Sequence, residues 1–327
     1  MHKRERLERA IAGEPTDRTP VAVWRHFPGD DQRAADLARS TIEFQRTYDW
    51  DFIRLTPSNA FTVTDYGVQD AWEGSLDGKR TITKTIIERS LDWTSLRALD
   101  PVRGALGKQA EALSLVCDAF ADEVPILQTL SSPLSQARDL AGNAELIRHL
   151  RTQPDRLHTG LNMLLENTLR YIDTLRRLPI AGICYVIDCA SFSFLSEEEY
   201  RAFGLYYDRR VLESLPSKWW LNIVHLDASL PMFRCASELP VQVINWSDRD
   251  SEPTLSDAKL IFSGALCGGI SPNQHLHFGT PAMIRESARD AVQQMGSRRL
   301  ILAAGGLTPV TAPLSNLRAL RDAAESA

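Results

Sequence analysis

Short, nearly continuous apolar runs recur along the chain, separated by longer stretches in which apolar residues return every three or four positions. The runs cover residues 20–25, 51–56, 125–130, 182–188, 219–226, 241–246, 259–266 and 299–305. A strand covered on one face alternates apolar and polar residues, whereas one covered on both faces does not; these runs predict parallel strands with helices over them. The three- and four-residue spacing predicts helices over 31–48, 107–120, 143–151, 153–177, 197–215 and 281–295. Ser196 ahead of Glu197, Glu198 and Glu199 has the form of an N-cap followed by an acidic first turn, and Thr280-Pro281 that of a cap followed by an N1 proline.

Strands alternating with helices through one chain predict an α/β fold, a (β/α)8 TIM barrel forming a single domain over residues 1–327. The stretch 59–92 is too long for a simple crossover and contains TITKTIIE, so a decorated loop with an extra β-hairpin is expected after strand two. An open doubly wound sheet is the alternative, but no GxGxxG follows the first strand.

Composition narrows the function classes. The 327 residues are 43% hydrophobic and 24% charged, and 37 Lys and Arg against 42 Asp and Glu give a net charge of −5. With no basic stripe, nucleic acid is not an expected partner. No apolar run reaches the roughly 18 residues a membrane span needs, and the charged start, Met1 to Arg6, leads into no apolar segment of secretory type. A cytoplasmic location away from membranes is expected. Five cysteines, an odd number without a CxxC pair, predict reduced thiols rather than disulfides or a zinc knuckle.

In such a barrel, chemistry sits just past the C-terminal strand ends. That criterion selects Trp24, Arg25, His26 and Phe27 after strand one, Ser58 after strand two, and Asp188 and Ser191 after strand four. It further selects His225 and Asp227 at strand five, Trp246, Asp248 and Arg249 at strand six, and Gly269 at strand seven. Arg25, His26, His225 and Asp227 are the candidate catalytic residues. An arginine fork suits a carboxylate, and His225-x-Asp227 places two side chains on one face of an extended segment, as an acid–base or a metal pair. Eight of the others, Trp24, Phe27, Ser58, Ser191, Trp246, Asp248, Arg249 and Gly269, are candidate substrate contacts. No metal is expected; the alternative is a site built from His225, Asp227, His275 and His277.

The order of segments resembles the uroporphyrinogen decarboxylase family over nearly the whole chain. The resemblance is carried by Leu7-Glu8-Arg9-Ala10 with Gly13 to Val21, and by Gln242 to Trp246 followed by Ala258-Lys259, Phe262-Ser263-Gly264, Gly269-Ile270 and Pro272. It implies a barrel, a cleft at the C-terminal strand ends and a homodimer. Arg25 matches the first arginine of the family's Arg-Gln-Ala-Gly-Arg run, and Gly29 stands at the second. Thr56-Pro57-Ser58 replaces the aspartate that binds pyrrole N–H groups, Ser191 matches a family serine, and Gly305 falls where the family has histidine. Cobalamin and coenzyme M methyltransferases of the family bind zinc through His-x-Cys and a later cysteine. Here His225 matches the histidine, with Asp227 and Gly305 at the cysteine positions.

Three functions follow from the resemblance. The first is a cofactor-free carboxy-lyase taking a small polycarboxylate or tetrapyrrole. The second is a methyltransferase dependent on zinc or a corrinoid. The third is a non-catalytic barrel that binds a tetrapyrrole or small acid.

Overall fold

The structure, a computed structural model, describes residues 1–120 and 122–326. Its centre is a curled, seven-stranded, wholly parallel sheet: β1 (Ile53–Leu55), β4 (Ile126–Ser131), β5 (Gly182–Ile187), β6 (Ile223–Leu226), β7 (Val243–Asn245), β8 (Ala265–Ile270) and β9 (Leu300–Ala304), in that spatial order. The remaining two strands, β2 (Gln69–Ala71) and β3 (Thr81–Lys84), pair antiparallel as a separate ribbon between β1 and β4. All six pairings in the large sheet join strands that are successive within it, so each connection must cross one face and carry helices there. Almost every residue of these strands is buried, the reason their sequences read as apolar runs instead of alternating ones.

Helices cover the outer face: α1 (Lys3–Ala12), α2 (Ala34–Tyr48), α3 (Gly104–Phe120), α4 (Pro133–Ala141), α5 (Asn143–Thr152) and α6 (Pro154–Leu175) in the first half. The second half contributes α7 (Glu197–Tyr200), α8 (Tyr206–Glu213), α9 (Phe233–Ser237), α10 (Leu255–Ala258), α11 (Pro281–Met295) and α12 (Leu314–Ser326). In α6 the buried residues Leu157, Leu161, Leu164, Leu165, Thr168, Ile172 and Leu175 recur at three- and four-residue intervals, which turns one stripe inward. Each fully buried leucine contributes about 1.5–3 kcal/mol of transfer free energy. Both expected caps form. Ser196 accepts from the Glu199 N–H while Glu199 accepts from the Ser196 N–H, and Thr280 accepts from the Met283 N–H with Pro281 behind it.

The expected first strand, 20–25, is extended but makes only one parallel bridge, Val21 with Leu302. Pro20 has no N–H, and the Val21 N–H goes to the Asp51 carboxylate at 2.7 Å instead of to a neighbouring strand. The segment is nevertheless held on both sides. Leu302 N–H donates to Pro20 O and Ala22 N–H to Leu302 O, while Asp51 N–H, just ahead of β1, donates to Val21 O. The expected run at 259–266 is also displaced: the strand is Ala265–Ile270, and 259–264 is the turn that follows α10. The predicted helix 197–215 is interrupted by a π-helical stretch, Arg201–Leu205, between α7 and α8. All five cysteines are free and buried. Among the described residues no helix is long and apolar enough to cross a membrane.

Candidate active site

Side chains from the C-terminal ends of β1, β4, β5 and β6 converge on a small cavity of about 70 Å3. Its lining includes Arg54 from β1, Thr129 and Ser131 from β4, Arg138 and Asp139 from α4, Asp188 beyond β5, and His225 and Asp227 from β6 and its end. His26 enters from the segment after Trp24, and Lys79 from the connection between β2 and β3.

Local sequence fixes these positions. Ser132 caps α4 by accepting from the Ser135 N–H, with Pro133 at N1, so the helix starts directly at the end of β4 and carries Arg138 and Asp139 over the cavity. Asp188 N–H donates to Ser135 Oγ at 3.3 Å, and Asp227 N–H to Ile187 O at 3.0 Å, which seats both carboxylates beside their strand ends. Lys79 is delivered by Gly78, whose φ of +77° favours glycine and whose missing Cβ would stand 2.7 Å from the His26 Cβ. Asn59 clasps the Arg80 backbone in both directions, and Arg80 forms a two-pronged pair with buried Asp31 at 2.7 and 2.9 Å.

The charges are distributed unevenly. Lys79 pairs with Asp227, and Arg138 with Asp188. Burial disfavours charge on both members of the first pair, yet each holds the other ionised: the Asp227 pKa is lowered and that of Lys79 raised. Burial, reinforced by the Asp188 carboxylate, pushes Asp139 up to about 7. Burial, with the Arg54 charge nearby, holds His26 and His225 down at about 4, so both imidazoles are neutral at physiological pH.

Arg54 is 7% exposed, and among the described residues no carboxylate pairs with it. Its Nε donates to Thr129 Oγ1 at 3.1 Å, its guanidinium carbon lies 5.1 Å from the Trp24 ring centroid, and its Nη1 is buried without a partner. The cation–π contact offsets part of the desolvation of that charge.

His225 has a defined tautomer. Asn245 donates its amide nitrogen to Cys267 O at 2.7 Å and Ala304 O at 3.1 Å, so its Oδ1 faces His225 Nδ1 at 2.5 Å as an acceptor. The proton therefore sits on Nδ1, and Nε2, buried and unpartnered, presents a lone pair.

Of the residues selected from sequence, His26, Ser58, Asp188, His225 and Asp227 line this cavity, and Trp24 packs beneath it, edge-on to His225 at 6.3 Å. The others lie elsewhere. Arg25 donates to Val310 O and His26 O and sits over Phe27, which packs against Phe44 of α2. Trp246 donates to Pro253 O and packs on Phe233. Asp248 accepts from the Gly269 N–H, and Arg249 binds Gly269 O, Ser287 O and Asp290, so this trio fastens β8 to α11. Ser191 pairs with Ser193 in a turn. Arg54, Lys79, Arg138 and Asp139 were not selected. For Arg54 a signal existed, a lone cation inside an apolar run; for Lys79 in its long connection there was none.

Zinc is not accommodated by the donor set. Asp227 is neutralised by Lys79, and a Cβ at Gly305 would lie 2.5 Å from Ser247 Cα and 2.6 Å from Trp246 O. His275 Nδ1 accepts from the Ser271 N–H, and His277 Nδ1 contacts Thr311, both away from the cavity. Among the described residues, no three His, Cys, Asp or Glu side chains gather as a metal site.

The family model described as uroporphyrinogen decarboxylase (URO-D) matches residues 2–327. Among curated relatives, the methylcobamide:CoM methyltransferase MtbA of Methanosarcina acetivorans is 20% identical over 303 residues, covering 88% of this chain and 87% of its own. The uroporphyrinogen decarboxylase of Idiomarina loihiensis is 24% identical over 323 residues, covering 90% and 87%. Among solved structures, a methyltransferase from Methanosarcina mazei superposes with a TM-score of 0.87 at 18% identity, covering 100% of this chain and 99% of the other.

Proposed function

The chain belongs to the uroporphyrinogen decarboxylase family, and from that premise we propose that it is a carboxy-lyase whose active site is the cavity around Arg54, with segment 20–24 serving as the first strand of a (β/α)8 barrel. The observation that carries this reading is the buried, unpaired Arg54 guanidinium, a costly arrangement unless an anion completes it.

In the proposed reaction one carboxylate of the substrate docks on Arg54. The bond to a second carboxylate breaks, CO2 leaves, and the electron pair passes to the substrate carbon. Asp139, a carboxylic acid up to a pH of about 7, gives that carbon its proton and is reprotonated from water. Lys79 and Arg138, each already balanced by a carboxylate, orient the site without adding net charge. A cavity of about 70 Å3 takes a small acid whole, or a single arm of a tetrapyrrole once Lys79 has moved.

Anaerobic incubation with uroporphyrinogen, followed by chromatography of the oxidised porphyrins, tests the larger substrate. Stepwise loss of carboxylates that disappears in Arg54→Met supports the proposal. Loss that is unchanged in Arg54→Met removes Arg54 from it, and no loss beside a competent control enzyme excludes the tetrapyrrole.

Methyl transfer is the second reading, favoured by the names of two relatives. The donor set speaks against zinc in it, and metal analysis of active protein decides: stoichiometric zinc would restore it.

A further inference from the structure

Resting on the reading of this cavity as the substrate site, we infer that the substrate carboxylate docking on Arg54 carries a hydrogen-bond donor, an O–H or N–H, next to the acid group. Three residues lining the cavity carry a buried orphan atom, His26 Nδ1, Arg54 Nη1 and His225 Nε2, and the last two define this ligand. Arg54 Nη1 is a donor without an acceptor, and His225 Nε2 is an acceptor without a donor. Both side chains line the one cavity and bear on the same Trp24 indole, the guanidinium at 5.1 Å and the imidazole at 6.3 Å, which places both beside a ligand bound there.

The acceptor character of Nε2 is imposed by the protein. Asn245 is locked by two backbone carbonyls and takes the Nδ1 proton, and burial beside Arg54 keeps the ring neutral. A plain carboxylate satisfies Arg54 and leaves the Nε2 lone pair stranded; a ligand with a neighbouring O–H or N–H satisfies both.

Charge and size set the rest. Lys79 cancels Asp227, Arg138 cancels Asp188, and Asp139 is protonated below about pH 7, which leaves one positive charge, on Arg54, for the docked carboxylate and none for the carboxylate that departs as CO2. The cavity of about 70 Å3 is several times the roughly 10–15 Å3 that one water needs on the same measure. That admits a two- or three-carbon acid, and a five-membered ring acid on slight outward movement of Lys79.

Two pairs matched in shape, each differing in one hydrogen-bond donor, test this by titration calorimetry on the full chain at pH 6.5. Glycolate is compared with propionate for an O–H donor, and pyrrole-2-carboxylate with furan-2-carboxylate for a ring N–H. The donor-bearing member of at least one pair should bind roughly fivefold to tenfold more tightly, and the pair that responds identifies the donor. His225→Phe should erase that preference while retaining affinity for the plain acid, and Arg54→Met should abolish binding of all four, with thermal melts confirming both folds. Equal binding within both pairs in the wild-type protein overturns the inference without recourse to any variant. Arg54-dependent decarboxylation of uroporphyrinogen alongside equal binding removes this inference and leaves the lyase reading standing. A donor preference that His225→Phe erases, without turnover of any carboxylate, does the reverse.

Discussion

A buried arginine without a counter-charge is a stability cost retained for another purpose. Replacing Arg54 with methionine removes an ion that the fold must desolvate and leaves behind only Thr129 Oγ1, which still donates to Leu55 O. The melting temperature of Arg54→Met should therefore equal or exceed that of the parent in the absence of ligand, with carboxylate binding lost. A marked drop in the melt would mean that Arg54 acts structurally. Asp139 gives the second prediction at this scale. Its pKa is raised to about 7, so the proton-donating form declines as pH rises, and kcat/KM should fall above about pH 7. Asp139→Asn should lower turnover by about 10²–10⁴-fold and flatten that limb. Stability follows the same linkage: a raised carboxylate pKa means that stability is lost as pH climbs from about 4 through 7, and the Asn variant should lose less over that window. His26 and His225 act oppositely, since their lowered pKa values remove stability as pH falls from 6.5 towards 4; urea midpoints of wild type and variant must be compared at each pH. Legibility also varied residue by residue. His225-x-Asp227 was readable because a two-residue step in a strand puts both side chains on one face. Asp248 and Arg249 met the same strand-end criterion, but Asp248 turns to the Gly269 N–H of β8 and Arg249 to α11, directions that strand position does not encode.

At the scale of elements, the strands were legible wherever burial on both faces made the run apolar, and their ends were not. Residues 219–222 continue the apolar run into β6, yet Asn222 is spent on Gln242 and backbone groups before the ladder begins at Ile223. Helix α4 was not foreseen, because Pro133 directly after a strand looks like a terminator until Ser132 is recognised as its cap. The β2–β3 connection is the element with a job: it carries Lys79 to Asp227 and is pinned by Arg80 to Asp31. Lys79→Ala should free its tip, raising hydrogen exchange and protease cleavage across 72–80 while the sheet stays protected. Unchanged protection there would show that Arg80 and Asn59 hold the connection unaided.

At the scale of the whole molecule, one carboxylate joins segment 20–24 to the first strand of the sheet. Asp51, fully buried, accepts from Arg6, from both Nη atoms of Arg18 and from the Val21 N–H, tying α1 and the extended segment to the approach of β1. Asp51→Asn should cost about 3–5 kcal/mol, the range for removing one partner from a buried charge network, measured as a lowered urea midpoint; a loss below about 1 kcal/mol would mean that the ladder contacts alone suffice. No apolar-pattern argument finds this residue, since Asp51 stands at the edge of a run where an acid reads as a surface boundary. The thiols have a different consequence at this scale. Cys117, Cys184, Cys189, Cys235 and Cys267 lie on α3, on β5, past β5, on α9 and on β8, and each is shut away from solvent. A maleimide added to the native protein can react only when the structure around a thiol opens, so the five positions form a built-in clock. One common labelling rate would mark a molecule that opens all at once, whereas separate rates, resolved by peptide mass, would show which arc of the sheet lets go first.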